Sequence, residues 1–347
     1  MQLNETGDPS LDFPADRDVE RLAQIFRDCT QPYKLLLFKA VIARLIKGAG
    51  EIMLFDELLA EILIAVWWPV VVSRLTIGNA AANDTLTALV HSLGNAVQEK
   101  LSPHEAIELA RMYAERERSR GCLRYVPEAL LSPWKASDGL PIYQIFKEGI
   151  EIPPQWYRYF KANLPIVKGW ADNAWLSWMQ ARNPNVPVTI EKIGPPSRRL
   201  GLSKERAYFL MAMNRIGLDC IYTNQPLDRT GFSLDHFLPR SFVGHDRVWN
   251  LVPTSKSLNS AKAGRLPSLV FLDSLVTLHH RVITELVALS GGRTGIWLDQ
   301  YCNDLRIAPA RLLDQPALRE AYWGAIPPLL TTAKRMGFPA DWSLDLD

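Results

Sequence analysis

The feature that most constrains this chain is a group of polar residues at fixed intervals about two-thirds of the way along it. The group consists of an adjacent acid and titratable base, two side-chain amides and a cation, which are Asp235, His236, Asn250, Asn259 and Lys262. A carboxylate, an imidazole and amide oxygens can together bind a divalent cation and move a proton. Any fold proposed for this chain must therefore account for the spacings of these five residues.

The local pattern around the group predicts a small strand–loop–strand–helix unit. Residues 232–236 alternate apolar and polar side chains, which is typical of a short strand. Residues 251–252 are apolar and can pair back as a second strand, after which Thr254 or Ser255 can cap a helix. This arrangement would bring Asp235 and His236 to one pocket with Asn259.

The same residues resemble a known family. The segment is similar to the HNH, or ββα-metal, nucleases, and in detail to the HNH domain of the CRISPR RNA-guided effector nucleases. Its pattern of Asp-His, two apolar residues, Pro-x-Ser-Phe, Asn, Asn-x-x-Lys and Pro-Ser spans residues 235–268 with the family's intervals. The resemblance covers residues 217–269, and it implies a ββα fold and hydrolysis of phosphodiester bonds by a metal-dependent endonuclease.

Chemistry and the resemblance together assign candidate roles. Histidine is the side chain best suited to exchange a proton at neutral pH, so His236 can accept the proton of an attacking water. Asp235 and Asn259 offer the hard oxygen ligands that Mg²⁺ or Mn²⁺ prefers. The resemblance implies that Asn250 holds the catalytic loop and orients the histidine. Lys262 is expected to face a phosphate as a third catalytic residue.

Positive charge is concentrated around the motif. Residues 198–265 contain eleven lysines and arginines against five carboxylates, a local charge of +6 in a chain whose net charge is +2. A local excess of positive charge suits a polyphosphate ligand, although a solvated basic face is the plain alternative. We expect Arg240, Arg247, Lys256 and Arg265 to contact nucleic acid.

The four cysteines do not suggest a disulfide framework or a zinc knuckle. They lie far apart, and Cys220 is single, because the position four residues later is Asn224. Many HNH proteins carry two cysteine pairs that bind structural zinc, and no structural zinc is expected here. The surrounding helices must then support a ββα unit that is too small to be stable alone. A reducing, cytoplasmic location is the default for such cysteine usage.

The rest of the chain is predicted to be mostly helical. Apolar residues at helical spacing predict helices over residues 16–29, 33–47, 53–67, 86–97, 103–120, 155–182, 203–215, 269–289 and 309–334. The longest apolar run, residues 62–72, is interrupted by Pro69 and is too short for a membrane span. Aromatic residues in the 155–182 segment are expected to be core, with a base-stacking surface as the alternative.

These patterns predict a mainly α protein with a small α+β insert. Helical N- and C-terminal regions would surround a ββα-metal HNH nuclease domain. The predicted regions are an N-terminal helical region (1–120), a connector and aromatic-rich helical region (121–197), the HNH domain (198–270) and a C-terminal helical region (271–347).

Two classes of function are compatible with the sequence. The first is a metal-dependent endonuclease acting on DNA, in the manner of a restriction or phage-defence effector, with RNA left open as a substrate. The second is a non-catalytic nucleic-acid-binding or assembly protein built on an HNH scaffold. A protein partner bound through the helical regions stays open in both cases, and no membrane association is expected.

Overall fold

The computed structural model of the protein describes most of the chain. The described residues are 13–78, 85–94, 102–116, 121–135, 138–194, 201–289 and 295–344. Contacts between Cα atoms divide the chain into two compact units. The first unit comprises Met1–Pro184 and Thr189–Pro195, and the second comprises Asn185–Val188 and Pro196–Asp347. The finer division into four regions stays a prediction.

The first unit is helical with one small sheet. Its helices are α1 (Asp16–Leu22), α2 (Tyr33–Ile46), α3 (Phe55–Trp67), α4 (Thr85–Gly94), α5 (Pro103–Arg116), α6 (Val126–Leu130), α7 (Pro154–Ala162) and α8 (Leu164–Arg182). Strands β1 (Ile52–Leu54), β2 (Gln144–Ile145) and β3 (Gly149–Glu151) form an antiparallel sheet in the order β1-β3-β2.

The aromatic residues of α7 and α8 are part of the core of the first unit. Trp156 and Phe160 of α7 are buried and stack with ring centroids 5.4 Å apart. Trp175 of α8 is also buried, and Trp170 stacks on Phe26. These contacts confirm the expectation that the aromatic segment is core.

The second unit contains the predicted strand–loop–strand–helix arrangement. Its helices are α9 (Ser203–Ile216), α10 (Arg240–Val243), α11 (Lys256–Lys262), α12 (Leu272–Leu289), α13 (Ile296–Asp304) and α14 (Gln315–Arg335). Strands β4 (Ser233–His236) and β5 (Leu251–Thr254) pair antiparallel, and α11 packs against β4. The ββα unit is thus formed by β4, β5 and α11.

One apolar core joins the ββα unit to the longer helices of the second unit. Phe237 and Leu251 of the ββα region are buried in the same cluster as Phe209 of α9, Leu275 of α12 and Tyr322 of α14. Burial of this apolar surface is the main favourable term in folding. The helices of the second unit therefore support the small ββα unit, as expected from its size.

Local sequence explains where the elements around the motif begin and end. The Ser255 hydroxyl accepts a hydrogen bond from the Leu258 N–H and caps α11, as predicted. Gly244 ends α10 with a φ of 75°, a left-handed conformation that glycine adopts without steric cost. These two residues fix where α11 begins and where α10 ends.

The prediction of a mainly helical protein with a small α+β insert is confirmed. The segment predicted as one helix over residues 155–182 is two helices, since Pro165 lies in the first turn of α8, where proline is tolerated. The predicted helix at 53–67 starts at Phe55, because the preceding residues pair with β3. Helix α13 was not predicted.

Other helix ends also differ from the prediction. Helix α1 ends at Leu22, and residues 23–28 form turns. The irregular connector predicted for residues 121–154 contains short helical turns, α6 and two of the strands. The ends of the predicted helices at residues 95–97 and 117–120 lie outside the described residues. None of the described helices combines the length and apolar character needed to cross a bilayer.

Candidate active site

The acid and the base lie side by side at the end of strand β4. In the β4–β5 register, Asp235 is opposite Val252 and His236 is opposite Leu251. The chain then leaves the sheet through residues 237–250, which we call the catalytic loop after the role that the family resemblance implies, and returns as β5. The sheet thereby places two adjacent side chains on opposite faces of one strand.

Asp235 is buried and fully engaged by neighbouring donors. Its side chain is 2% exposed. The Tyr222 hydroxyl donates to Oδ2 at 2.7 Å, and the Lys262 ammonium lies 3.2 Å from Oδ1 and 3.0 Å from Oδ2. Burial raises the pKa of Asp235, and Lys262 and Tyr222 offset only part of that rise. The charge of the Asp235 carboxylate is therefore compensated inside the protein by the Lys262 ammonium.

Lys262 does not face outward in this structure. Its side chain is 0% exposed, and its ammonium donates to the His236 carbonyl at 2.7 Å as well as to Asp235. Burial lowers the pKa of Lys262, and the Asp235 charge opposes that shift. Lys262 thus faces Asp235 in this structure, because a buried carboxylate requires a partner of opposite charge. The expectation that this cation faces a phosphate stays a prediction.

His236 is held by an acid that the sequence analysis did not identify. Its Nε2 lies 2.8 Å from Asp246 Oδ1, and Arg240 Nε donates to the same oxygen at 2.8 Å. Burial alone would raise the pKa of Asp246, but the hydrogen bonds from His236 and Arg240 lower this pKa to about 2. An ionised carboxylate can only accept, so the Nε2–H of His236 is the donor. In the neutral form of the ring, Nδ1 then carries the lone pair that can accept a proton.

Asn250 fastens the catalytic loop next to the histidine. Its side-chain oxygen accepts from the Leu238 N–H and its amide donates to the Leu238 carbonyl, both at 2.9 Å. Its backbone carbonyl accepts from the Phe237 N–H at 2.8 Å. The residues that immediately follow His236 are thus bonded three times to this buried asparagine, which is what a loop-holding role requires.

Asn259 approaches β4 from helix α11. Its Nδ2 donates to Ser233 Oγ at 2.8 Å and to the Leu234 carbonyl at 3.2 Å. These two bonds fix the orientation of the amide group and leave its oxygen as the atom that can ligate a cation. Lys262 follows Asn259 by almost one helical turn, so the two residues share a face of α11.

Comparison with known proteins gives the segment a family. The family model described as HNH endonuclease matches residues 220–268. Residues 220–268 are an HNH endonuclease domain. No curated protein and no solved structure gave a match to the chain. The finer likeness to the CRISPR effector nucleases stays a prediction.

The HNH domain indicates nuclease activity on nucleic acid, and such nucleases generally depend on a divalent metal. Within the described residues there is no group of three His, Cys, Asp or Glu that could hold a metal ion. The Asp235 carboxylate and the Asn259 amide oxygen are nonetheless suitable donors. Mg²⁺ is often bound through one or two protein ligands while it keeps several waters. In this structure both oxygens of Asp235 are engaged by Tyr222 and Lys262, so a divalent ion would have to share this carboxylate with the ammonium.

The four predicted nucleic-acid-binding residues differ in their surroundings. Arg240 pairs with Asp246, and Arg247 Nε lies 3.4 Å from Asp304. Lys256 is exposed at the start of α11. Arg265 is exposed and donates to backbone carbonyls of α11, including Lys262 O at 3.3 Å. Acids of the HNH domain and of α13 thus neutralise the first two, whereas the last two project from the ββα helix and its end.

Sequence reasoning missed two residues of the HNH domain site. Asp246 lies in the catalytic loop ten residues after His236, and an acid placed to orient a functional imidazole is a recurrent arrangement. The acid of the loop that follows His236 was therefore the signal by which sequence reasoning could have found Asp246. Tyr222 gave no comparable signal, because a buried tyrosine bonded to a carboxylate cannot be told from a core tyrosine by spacing. Burial and then the negative charge of Asp235 raise the pKa of Tyr222, so it stays a donor.

Cys220 is a buried residue of the HNH domain core. Its sulfur lies 3.3 Å from Thr254 Oγ1 of β5. Asn224, at the position where a second cysteine would be needed, adopts a φ of 55° in the turn that follows. The Asn224 N–H donates to the Cys220 carbonyl at 2.8 Å. Hydrogen bonds and apolar packing therefore hold this turn.

Proposed function

We propose that the HNH domain hydrolyses phosphodiester bonds of DNA with one bound Mg²⁺ or Mn²⁺. The observation that carries this proposal is the pairing of His236 Nε2 with an ionised Asp246. When the ring is neutral, this pairing places its proton on Nε2 and leaves Nδ1 as the basic nitrogen, on the residue that follows Asp235. Such a base is the group that hydrolysis of a phosphodiester needs at neutral pH.

In the proposed reaction His236 acts as the general base. Nδ1 accepts a proton from the water that attacks phosphorus, and the imidazolium that forms is stabilised by the Asp246 carboxylate. Asn250 keeps the backbone after His236 in place during this transfer. The base thus stays within hydrogen-bonding reach of the attacking water.

The metal would be held by Asp235 and the amide oxygen of Asn259. A bound divalent cation supplies Lewis-acid stabilisation of the negative charge that develops on the phosphate and on the leaving oxygen. Lys262 compensates the Asp235 charge in the absence of the ion. The phosphate of the substrate therefore supplies the additional negative charge that binding of a divalent ion here requires.

The test is cleavage of supercoiled plasmid by purified protein across Mg²⁺, Mn²⁺ and EDTA. We expect cleavage that depends on the metal and that falls about 10²- to 10⁴-fold in His236→Ala, since general-base catalysis contributes that much. The matched control is His280→Ala, which removes a histidine of α12 bonded only to the Leu313 carbonyl. Equal cleavage by wild type and His236→Ala would reject the proposal.

The non-catalytic alternative predicts a different result. A binding or assembly protein has no use for an imidazole with a fixed tautomer, so His236→Ala would bind nucleic acid and function like the wild type. RNA is a second substrate to be assayed in parallel, because contacts to the sugar–phosphate backbone carry no base sequence. Preference for RNA over DNA of the same sequence would redirect the proposal.

We further infer a restriction or phage-defence role from the resemblance of the motif. The expected outcome is that cells expressing the wild-type chain resist phage infection and that His236→Ala cells do not. Plating efficiency of a phage panel measures this effect. Equal protection by the two forms would place any defence role outside the HNH domain.

A further inference from the structure

The catalytic loop is bonded to helices that lie outside the matched family segment. The Val248 N–H donates to Gln300 Oε1 of α13 at 2.9 Å, and Trp249 Nε1 donates to Asp304 Oδ2 at 2.7 Å. The Tyr322 hydroxyl of α14 donates to the Trp249 carbonyl at 2.9 Å. Two helices therefore satisfy three polar groups of two consecutive loop residues.

These bonds are made to buried loop residues, and the bond from Tyr322 to Trp249 is itself buried. Val248, Trp249 and Tyr322 are all buried in the apolar core of the second unit. A buried backbone or indole group that loses its partner is costly, because no water replaces the lost bond. The bonds therefore hold segment 248–249 in one position and resist its displacement.

The held segment is connected directly to the general base. Asn250 follows Trp249 and makes three hydrogen bonds to Phe237 and Leu238. These two residues come immediately after His236. A shift of the loop at Trp249 is therefore transmitted through Asn250 to the backbone of the histidine.

Asp304 makes a second contact with the same loop. Its Oδ2 also lies 3.4 Å from Arg247 Nε. The carboxylate thus engages two loop residues, one through an indole N–H and one through a guanidinium. Asp246, which holds Nε2 of His236, is the neighbour of Arg247 along the chain. Asp304 of α13 therefore contacts the residue that precedes Asn250 and the residue that follows Asp246.

We propose that Gln300, Asp304 and Tyr322 are positioning residues, which set the geometry of the catalytic loop from outside the HNH domain. The proposal rests on the nuclease function proposed above. It assigns the C-terminal helices α13 and α14 a part in the reaction, since they hold the loop that follows the base without touching substrate.

The test compares two variants with the same chemical change. Tyr322→Phe removes the hydroxyl bonded to the loop. Tyr301→Phe removes a hydroxyl that is equally buried but bonds to His279 and Tyr208. Gln300→Ala removes the acceptor for Val248, and Gln300→Glu keeps an acceptor oxygen at that position. Each variant is made in the full chain and checked for folding by its thermal transition.

Two readouts separate positioning from general stability. Hydrogen exchange of amides 237–250 is compared with exchange of α9, and kcat is separated from KM in plasmid cleavage. For the double variant Gln300→Ala with Tyr322→Phe we expect the loop amides to exchange roughly tenfold faster than in the wild type, after correction for any change in the exchange of α9. We expect kcat to fall by up to about 100-fold with KM little changed. Gln300→Glu should restore most of the loss caused by Gln300→Ala.

Two outcomes would overturn the proposal. One is a double variant with wild-type loop exchange and wild-type kcat. The other is Tyr301→Phe altering loop exchange and kcat as much as Tyr322→Phe, which would mean that any loosening of the helices has the same effect. If the wild type cuts no nucleic acid with any metal, the nuclease proposal fails. The exchange comparison then still decides whether α13 and α14 hold the loop.

Discussion

The two faces of strand β4 handle charge in opposite ways. On one face Asp235 is 2% exposed and Lys262 is 0% exposed, and the two charges neutralise each other. On the other face His236 is 16% exposed and Asp246 is 26% exposed, so both side chains reach solvent. Asp235 and Lys262 thus form a buried pair, which we call the sealed pair. His236 and Asp246 form a solvent-accessible pair, which we call the open pair.

This difference assigns different work to the two pairs. The sealed pair stabilises the ββα unit, and a cation can use Asp235 only by sharing it with the ammonium. The open pair keeps the imidazole accessible to a substrate and a water molecule. The contrast predicts that changes on the sealed face mainly affect stability, whereas changes on the open face mainly affect rate.

The largest expected effect is loss of stability on the sealed face. Lys262→Met leaves Asp235 buried without its cation, and removing one partner of a buried ion pair costs about 3–5 kcal/mol. Urea unfolding measures this loss. The matched control is Lys256→Met, an exposed lysine of the same helix, for which we expect a change within about 0.5 kcal/mol. Similar losses in both variants would contradict the description of the face as sealed.

The next effect is loss of rate on the open face. Asp246→Ala frees Nε2 of His236, and we expect kcat to fall about 10- to 100-fold, because partners that fix a functional imidazole contribute that much. Asp246→Asn keeps an acceptor oxygen and should lose less. Asp299→Ala, an exposed aspartate of α13, is the control. An unchanged kcat in Asp246→Ala would show that the tautomer of His236 is fixed in another way.

The smallest expected effect is a dependence of stability on pH. Hydrogen bonds from His236 and Arg240 overcome burial and lower the pKa of Asp246 to about 2 in the folded protein, against 3.8 as its ordinary value. The unfolded chain therefore binds more protons between these pH values, so stability falls as pH drops through this window. The free energy of unfolding of the wild type should exceed that of Asp246→Asn by about 1–2 kcal/mol at pH 7, and this difference should shrink towards pH 2. Unfolding curves at several pH values measure it, and a constant difference would contradict the assignment.

Much of the site could be predicted because its residues are close in sequence. Asp235 and His236 are neighbours, and the two-residue period of a strand together with one capped helix brings Asn259 to β4, where it bonds Ser233 and the Leu234 carbonyl. The sealed pair could not be foreseen, since spacing places Lys262 on the same helix face as Asn259 without saying whether the side chain points to solvent. Burial of Asp235 decides that direction.

The parts that were missed depend on long-range packing. Gln300, Asp304 and Tyr322 lie more than fifty residues beyond the loop groups that they bond, and helix α13 was not predicted. The sheet of the first unit was missed for a similar reason. Its strands are two or three residues long, and β1 pairs with a strand almost one hundred residues away. No local periodicity reports such pairings.

The most direct test of the account is the protonation of the His236 ring, measured by ¹⁵N NMR of the imidazole at neutral pH. In the neutral form of the ring we predict the proton on Nε2 and the lone pair on Nδ1 in the wild type, and loss of that preference in Asp246→Ala. A wild-type ring protonated on Nδ1, or an even mixture of the two tautomers, would contradict the claim that Asp246 prepares His236 to act as the base.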